Sequence, residues 1–160
     1  GGQAEPGRSP LRGRAMSATV LSGGCRCRAL KVEVTLTQPA SAYAPRTCDC
    51  SFCRERDAAW LSDPQGALCL MQRDESDALH CRQGSGQADF IACAHCGSLV
   101  MVACEIDGRL HAAVNANVLD DARSFAPAQV ASPQHLSADA KRDRWRELWF
   151  TDVVIGIGPP

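Results

Sequence analysis

Residues 93–114 read CAHCGSLVMVACEIDGRLHAAV. Two apolar runs, Leu99 to Ile106 and Arg109 to Val114, flank Asp107-Gly108, a dipeptide that supplies the positive φ angles of a tight two-residue turn. The stretch therefore predicts a β-hairpin. At its root, Cys93-x-x-Cys96 has the spacing at which two thiolates in a turn converge on one metal ion, and Gly97 follows where such a knuckle needs unusual backbone angles. A hairpin with half a metal site at its base implies a β domain tied there to other cysteines.

Two further groups lie upstream: Cys25-x-Cys27, preceded by Gly23-Gly24, and Cys48-x-Cys50-x-x-Cys53. Seven thiols in three groups suggest two sites. Two pairs make one closed four-sulfur site. The trio makes a second with three sulfurs and an open position, the feature that separates catalytic from structural zinc. Spacing alone leaves the pairing open; the simplest division joins Cys25 and Cys27 with Cys93 and Cys96. A single metal site, disulfides, and a thiol-disulfide oxidoreductase using Cys50-x-x-Cys53 are the competing readings, the last leaving the other clusters without a role. Cys69, Cys81 and Cys104 are read as small core hydrophobes, Cys104 sharing a face with Val100, Val102 and Ile106. His95, inside the knuckle, is expected to point away from the metal, and His80 is a weaker candidate for a fourth ligand.

Composition explains why a metal would be needed. The 160 residues are 45% hydrophobic but only 5% aromatic, with ten cysteines. This is a thin core for one domain of ordinary size. Structural zinc contributes about 10 kcal/mol or more to folding in small peptides, enough to offset it. A net charge of −1, from 17 basic and 18 acidic residues, gives no global field for nucleic acid or acidic lipid. There is no apolar run of about 18 residues for a membrane span, and no secretory h-region near the start. Nucleic acid and membrane are therefore not expected partners, and the default compartment is the cytoplasm, where thiols stay reduced and ligate metals.

Outward from the hairpin, the pattern is mostly strand-like. Leu30, Val32, Val34 and Leu36 alternate with Lys31, Glu33, Thr35 and Thr37 as in a half-buried strand. Ala67 to Gln72, Ala78 to Arg82 and Asp89 to Cys93 are shorter apolar runs. Near the C-terminus Trp145, Leu148 and Trp149 fall at helical spacing with Ser137 a candidate N-cap, so Ser137 to Leu148 is expected to be helical. The charges Lys141, Arg142, Asp143, Arg144, Arg146 and Glu147 form its solvated face.

GGCRC at 23–27, CDCSFCR at 48–54, CAHCGSL at 93–99 and VNANVLDD at 114–121 together resemble the glutathione-dependent formaldehyde-activating enzyme and centromere protein V family. The likeness runs from about Thr19 to Asp121. It implies a mainly β, β-tent-type fold of small antiparallel sheets stabilised by zinc, with a short C-terminal helix. It also implies two zinc ions, a structural one on Cys25, Cys27, Cys93 and Cys96 and a second on the catalytic trio Cys48, Cys50 and Cys53. The family's named activity joins glutathione to formaldehyde, giving S-(hydroxymethyl)glutathione, which is carbon-sulfur lyase chemistry run toward synthesis. The implied partners are a small thiol, with glutathione as co-substrate, and an aldehyde. Arg54 and Arg56 beside the trio are candidates to hold glutathione carboxylates, their other reading being solvated surface. The alternative function is a non-catalytic zinc module for protein or nucleic-acid interaction.

Three segments are expected on this basis. Residues 1–15, rich in Gly, Pro and Arg, are read as a disordered leader or residues foreign to the domain, with a targeting peptide as runner-up. Residues 16–135 form the zinc-binding domain of the family type, and residues 136–160 a C-terminal helix and tail.

Overall fold

A computed structural model of the protein describes residues 19–48, 53, 55–56, 58–82, 87–120, 124–131 and 136–158. The expected leader, residues 1–15, lies outside them. Along the chain run β1 (Thr19–Gly24), β2 (Leu30–Leu36), β3 (Arg46–Cys48), β4 (Ala59–Leu61), β5 (Ala67–Gln72), β6 (Ala78–Arg82), β7 (Asp89–Cys93), β8 (Leu99–Ile106), β9 (Arg109–Asn115), β10 (Gln129–Ala131), the helix α1 (Ala138–Leu148) and β11 (Asp152–Ile157). The fold is mainly β, in two sheets, with one α-helix among the described residues.

The alternating segment becomes β2, with Leu30, Val32, Val34 and Leu36 buried and Lys31 and Glu33 exposed. It lies between β1 and β5 in a four-stranded sheet of order β1-β2-β5-β11. The second sheet has seven strands in the order β10-β3-β4-β9-β8-β7-β6. At its centre β8 and β9 form the hairpin, whose turn residues Asp107 and Gly108 take φ angles of 55° and 78°. These are the left-handed angles of a two-residue turn whose twist matches the strands.

Strand β8 is buried on both faces, which makes the seven-stranded sheet the middle layer. Met101, Ala103, Ala112 and Val114 pack with Leu30, Val34, Leu68 and Leu70 of the smaller sheet. On the opposite face Val102, Cys104, Ile106 and Ala113 pack with Trp60 and Trp149, and with the partly buried Trp145 and Leu148 of α1. The helix is capped by Ser137, whose hydroxyl accepts from the Ala140 N–H at 3.1 Å. Trp145 of the helix stacks on Trp149, which follows its last residue, with ring centroids 4.7 Å apart. Phe150, fully buried, then exchanges backbone hydrogen bonds with Ala112 and returns the chain to the smaller sheet.

Two expectations need correction. The sheets are not wholly antiparallel, because β11 pairs parallel with β5 and β10 parallel with β3. Each pair is joined through a long stretch of intervening chain, which is what a parallel pairing requires. Of the three cysteines assigned to the core, only Cys104 is buried; Cys69 is half-buried and Cys81 exposed. Cys81 sits on β6, which ends the seven-stranded sheet, and that strand is largely exposed along its length.

A buried carboxylate fixes the joint between the sheets at the far end of β2. Asp63 is 6% exposed. Its Oδ2 accepts from the Thr37 N–H at 2.9 Å, the Thr37 hydroxyl at 2.7 Å and the Tyr43 hydroxyl at 2.7 Å, and its Oδ1 from the Gln65 N–H at 3.0 Å. Burial opposes its ionisation, but these donors outweigh burial and hold the carboxyl below the usual range. A depressed folded-state pKa contributes stability above the unfolded value near 4, and that contribution is lost as pH falls through the folded value. Asp63→Ala is expected to cost about 2 kcal/mol near pH 7 by urea unfolding, since it strands buried donors. Asp63→Asn should flatten the loss of stability between about pH 5 and pH 2; an unchanged acid limb would remove Asp63 from that role.

Candidate metal centre

Cys25 and Cys27 sit in the turn between β1 and β2; Cys93 ends β7, and Cys96 lies in the turn that leads from it to β8. The two turns therefore belong to different sheets. Their four sulfurs nevertheless all lie within 4.8 Å of one another. Cys25 Sγ is 3.7 Å from Cys27 Sγ, which is 3.5 Å from Cys93 Sγ. A disulfide bond of about 2.05 Å is far shorter, and these cysteines are free thiols. Four sulfurs bonded to zinc at about 2.3 Å would form a tetrahedron with edges of ~3.8 Å, so the donor set fits a tetrahedral metal ion.

Both turns are built as knuckles. Cys25 N–H donates to the Leu30 carbonyl at 3.0 Å, and Leu30 N–H donates to Cys25 Sγ at 3.3 Å. In the other turn the N–H groups of His95 and Cys96 donate to Cys93 Sγ at 3.3 and 3.4 Å, and Gly97 takes a φ of 79°. Backbone donors aimed at sulfur favour thiolate over thiol. Burial pushes the Cys93 thiol up to about 12. Burial also opposes ionisation of Cys96, but hydrogen bonds from the Ser98 hydroxyl and backbone and from the Cys27 N–H outweigh it and bring that thiol down to about 5. Unaided, Cys93 thus resists ionisation; a dication beside its sulfur reverses that balance.

Further contacts brace the cluster, and sequence reasoning missed them. Arg26, between the first two cysteines, donates through Nη2 to the Cys96 carbonyl at 2.6 Å and spans the two turns. His95 Nε2 lies 2.7 Å from Asp77 Oδ1, so its ring turns to Asp77. Asp77 Oδ2 in turn accepts from the N–H groups of Arg73 and Asp74 at 3.1 and 2.9 Å. Its carboxyl is held below the usual range, first by His95. The Asp74-x-x-Asp77 capping spacing was the available signal. At Gly23 a side chain would collide with the Val118 carbonyl oxygen, because the 116–119 turn crosses the end of β1 there. Arg28 and Asp120, paired at 2.9 Å, close the same crossing.

The trio is only partly described. Cys50 and Arg54 lie outside the described residues, as does the Cys48 side chain; the Cys48 backbone ends β3. Cys53 is buried in the cluster that contains Ala58, Trp60, Val102 and Trp149. Its carbonyl accepts from the N–H groups of Arg56 and Ala58 at 3.2 and 3.1 Å. The Arg56 guanidinium is 3.7 Å from Glu55. His80, the weaker ligand candidate, places Nδ1 2.6 Å from Asp89 Oδ2. Arg46, half-buried on β3, donates to the Ser62 hydroxyl at 2.8 Å. Its pKa is lowered, first by burial and then by the nearby Arg144 of α1.

Replacing a sulfur of the four-thiol cluster is expected to cost both metal and fold. Cys25→Ser or Cys93→Ser should remove about one bound ion per chain by elemental analysis and lower stability by about 3 kcal/mol or more in urea. The exposed Cys81→Ser should change neither quantity. Equal metal content in the Cys93 and Cys81 variants would rule the cluster out as the binding site.

Comparison with known proteins bears on the same residues. A family model described as glutathione-dependent formaldehyde-activating enzyme matches residues 20–132, a span holding all three cysteine groups. Among solved structures the chain is similar to a Rhodobacter sphaeroides protein, at 28% identity over 62% of this chain and 88% of that one, with a TM-score of 0.46. No curated protein matches. By the family match over most of its length, the chain belongs to the glutathione-dependent formaldehyde-activating enzyme family.

Proposed function

We propose that the protein is a cytoplasmic, zinc-dependent carbon-sulfur lyase that forms S-(hydroxymethyl)glutathione, or a close analogue, from a small thiol and formaldehyde. The observation that carries this reading is the convergence of Cys25, Cys27, Cys93 and Cys96 within 4.8 Å inside the segment matched by the family model. That cluster would hold a structural zinc with all four positions filled by protein, which leaves the chemistry to the remaining group. Cys48, Cys50 and Cys53 would hold a second zinc through three thiolates. When bound there, zinc supplies a Lewis acid for a carbonyl oxygen and favours ionisation of a thiol.

The chain's own residues set the surroundings of that chemistry. Cys53 is 2% exposed among Ala58, Trp60 and Trp149, whose apolar surfaces keep bulk water from it. In the reaction the substrate sulfur attacks the formaldehyde carbon, a carbon-sulfur bond forms as the carbonyl π bond breaks, and the thiol proton ends on the oxygen. Atoms and electrons balance with no redox partner. Positioning two small reactants supplies part of the acceleration such an addition needs. No helix among the described residues is long and apolar enough to cross a membrane.

The test is the rate of S-(hydroxymethyl)glutathione formation from isotopically labelled formaldehyde, measured by NMR against the spontaneous rate. The zinc-loaded protein should exceed that rate and carry about two zinc ions per chain. The Cys48→Ser, Cys50→Ser, Cys53→Ser triple variant should fall to the spontaneous rate, stay folded and keep about one ion. A protein that binds zinc, folds and gives no acceleration would instead be a non-catalytic zinc module.

A further inference from the structure

We propose that Cys27 is an oxidation site, at which a hydroperoxide converts the four-thiol cluster from a metal-held joint into a Cys27–Cys93 disulfide joint between the same two sheets. This rests on the metal reading of that cluster and is independent of the lyase reading. Its starting point is unequal access to the four sulfurs. Cys25 and Cys93 are fully buried and Cys96 is half-buried, whereas Cys27 is exposed. A reagent in solution therefore meets the set first at Cys27. As a metal ligand its sulfur is held as thiolate at neutral pH. An accessible thiolate with a second cysteine beside it is the arrangement in which sulfur oxidises readily and ends as a disulfide.

The second cysteine is in place. Cys27 Sγ lies 3.5 Å from Cys93 Sγ and 3.7 Å from Cys25 Sγ. Cys25 belongs to the same turn as Cys27, so a bond between those two would leave the sheets unlinked. A bond to Cys93 joins the β1–β2 turn to the end of β7, and the sulfurs need only close from 3.5 Å to the ~2.05 Å of a disulfide. Contacts that involve no metal hold the two segments together meanwhile. Arg26 reaches across them, donating through Nη2 to the Cys96 carbonyl at 2.6 Å and through its backbone N–H to the Ser98 hydroxyl at 3.4 Å.

The chemistry balances with the hydroperoxide as the oxidant. The Cys27 thiolate attacks its terminal oxygen, so a sulfur–oxygen bond forms, the oxygen–oxygen bond breaks and the alkoxide leaves, taking a proton from water. The Cys93 thiolate then attacks the Cys27 sulfur, forming the disulfide and expelling hydroxide. Two thiolates lose two electrons in all, and the hydroperoxide gains them, ending as an alcohol and water. Cys25 and Cys96 alone are too few donors for a tetrahedral ion, so the metal is released. Exchange with a small thiol reopens the disulfide and restores the donor set.

The probe is tert-butyl hydroperoxide added to zinc-loaded protein, with released zinc followed by a coloured chelator and cysteine pairing by peptide mass mapping. Zinc should leave in step with formation of the Cys27–Cys93 bond, and dithiothreitol with fresh zinc should return both to the start. In hydrogen exchange the oxidised, metal-free chain should keep β1–β2 and β7–β8 protected, where the reduced, chelated chain loses that protection. Cys27→His keeps a zinc donor without a sulfur, and should release the cluster's ion about tenfold more slowly or slower still. If that variant does not hold zinc, mapping of the wild type carries the test. A cluster that loses zinc while Cys27 stays reduced, or pairs Cys27 with Cys25, overturns the proposal. A chain that holds no zinc at the cluster overturns the metal reading with it. Oxidation as described with no acceleration of the formaldehyde reaction leaves the site standing and removes the lyase reading.

Discussion

Four sulfur atoms carried by two different sheets meet at one point, and the layout of the molecule follows from that junction. Cys25 and Cys27 belong to the β1–β2 turn of the four-stranded sheet, and Cys93 and Cys96 to the end of β7 and the turn after it in the seven-stranded one. Between the sheets lies a core built mainly of Leu, Val and Ala, with Phe150 its one fully buried aromatic side chain among the described residues. Dispersion and burial from such small side chains give limited stabilisation per residue. A metal at the junction would act on the chain as a crosslink, present in the folded state and without a preformed counterpart in the unfolded one.

The neighbouring contacts serve the same junction by different means. Arg26 bridges from one knuckle to the carbonyl of the other, and the Asp77–His95 pair braces the second knuckle. The 116–119 turn, part of the VNANVLDD motif, lies across Gly23 so closely that only glycine fits there. At the other end of β2, Asp63 gathers four donors from three segments. Each end of the smaller sheet is thus held by polar chemistry, and only the middle relies on hydrophobic packing.

What could be read from the sequence was what local physics decides. Asp107-Gly108 specified the hairpin because few other dipeptides take two positive φ angles, and the alternation from Leu30 to Leu36 specified a half-buried strand. Ser137 and the Trp145–Trp149 spacing gave the helix to within one residue of its start. What could not be read depends on distant partners. Strands β3, β4 and β10 are three residues each, too short to show a period. β11 carries an unbroken apolar run whose pairing is set by β5, far away in sequence. Cys81 looked like a core residue because LHC is locally apolar; its exposure follows from being on the end strand. At the site, cysteine spacing identified the donor groups but not which of them meet. Arg46 gave no signal at all, since its hydrogen-bond partner Ser62 lies on another segment.

The proposed function gives the two thiol groups different tasks. On the proposed reading the closed cluster would stabilise, and the trio, whose Cys53 packs with Trp60 and Trp149, would carry chemistry. The claim on which all of this depends is that a metal at Cys25, Cys27, Cys93 and Cys96 holds the two sheets together. Hydrogen exchange of the metal-loaded protein before and after chelation tests it most directly. The account predicts that amides of β1–β2 and of β7–β8 lose protection together when the metal is removed. Protection that persists unchanged in both hairpins of the metal-free chain would contradict it.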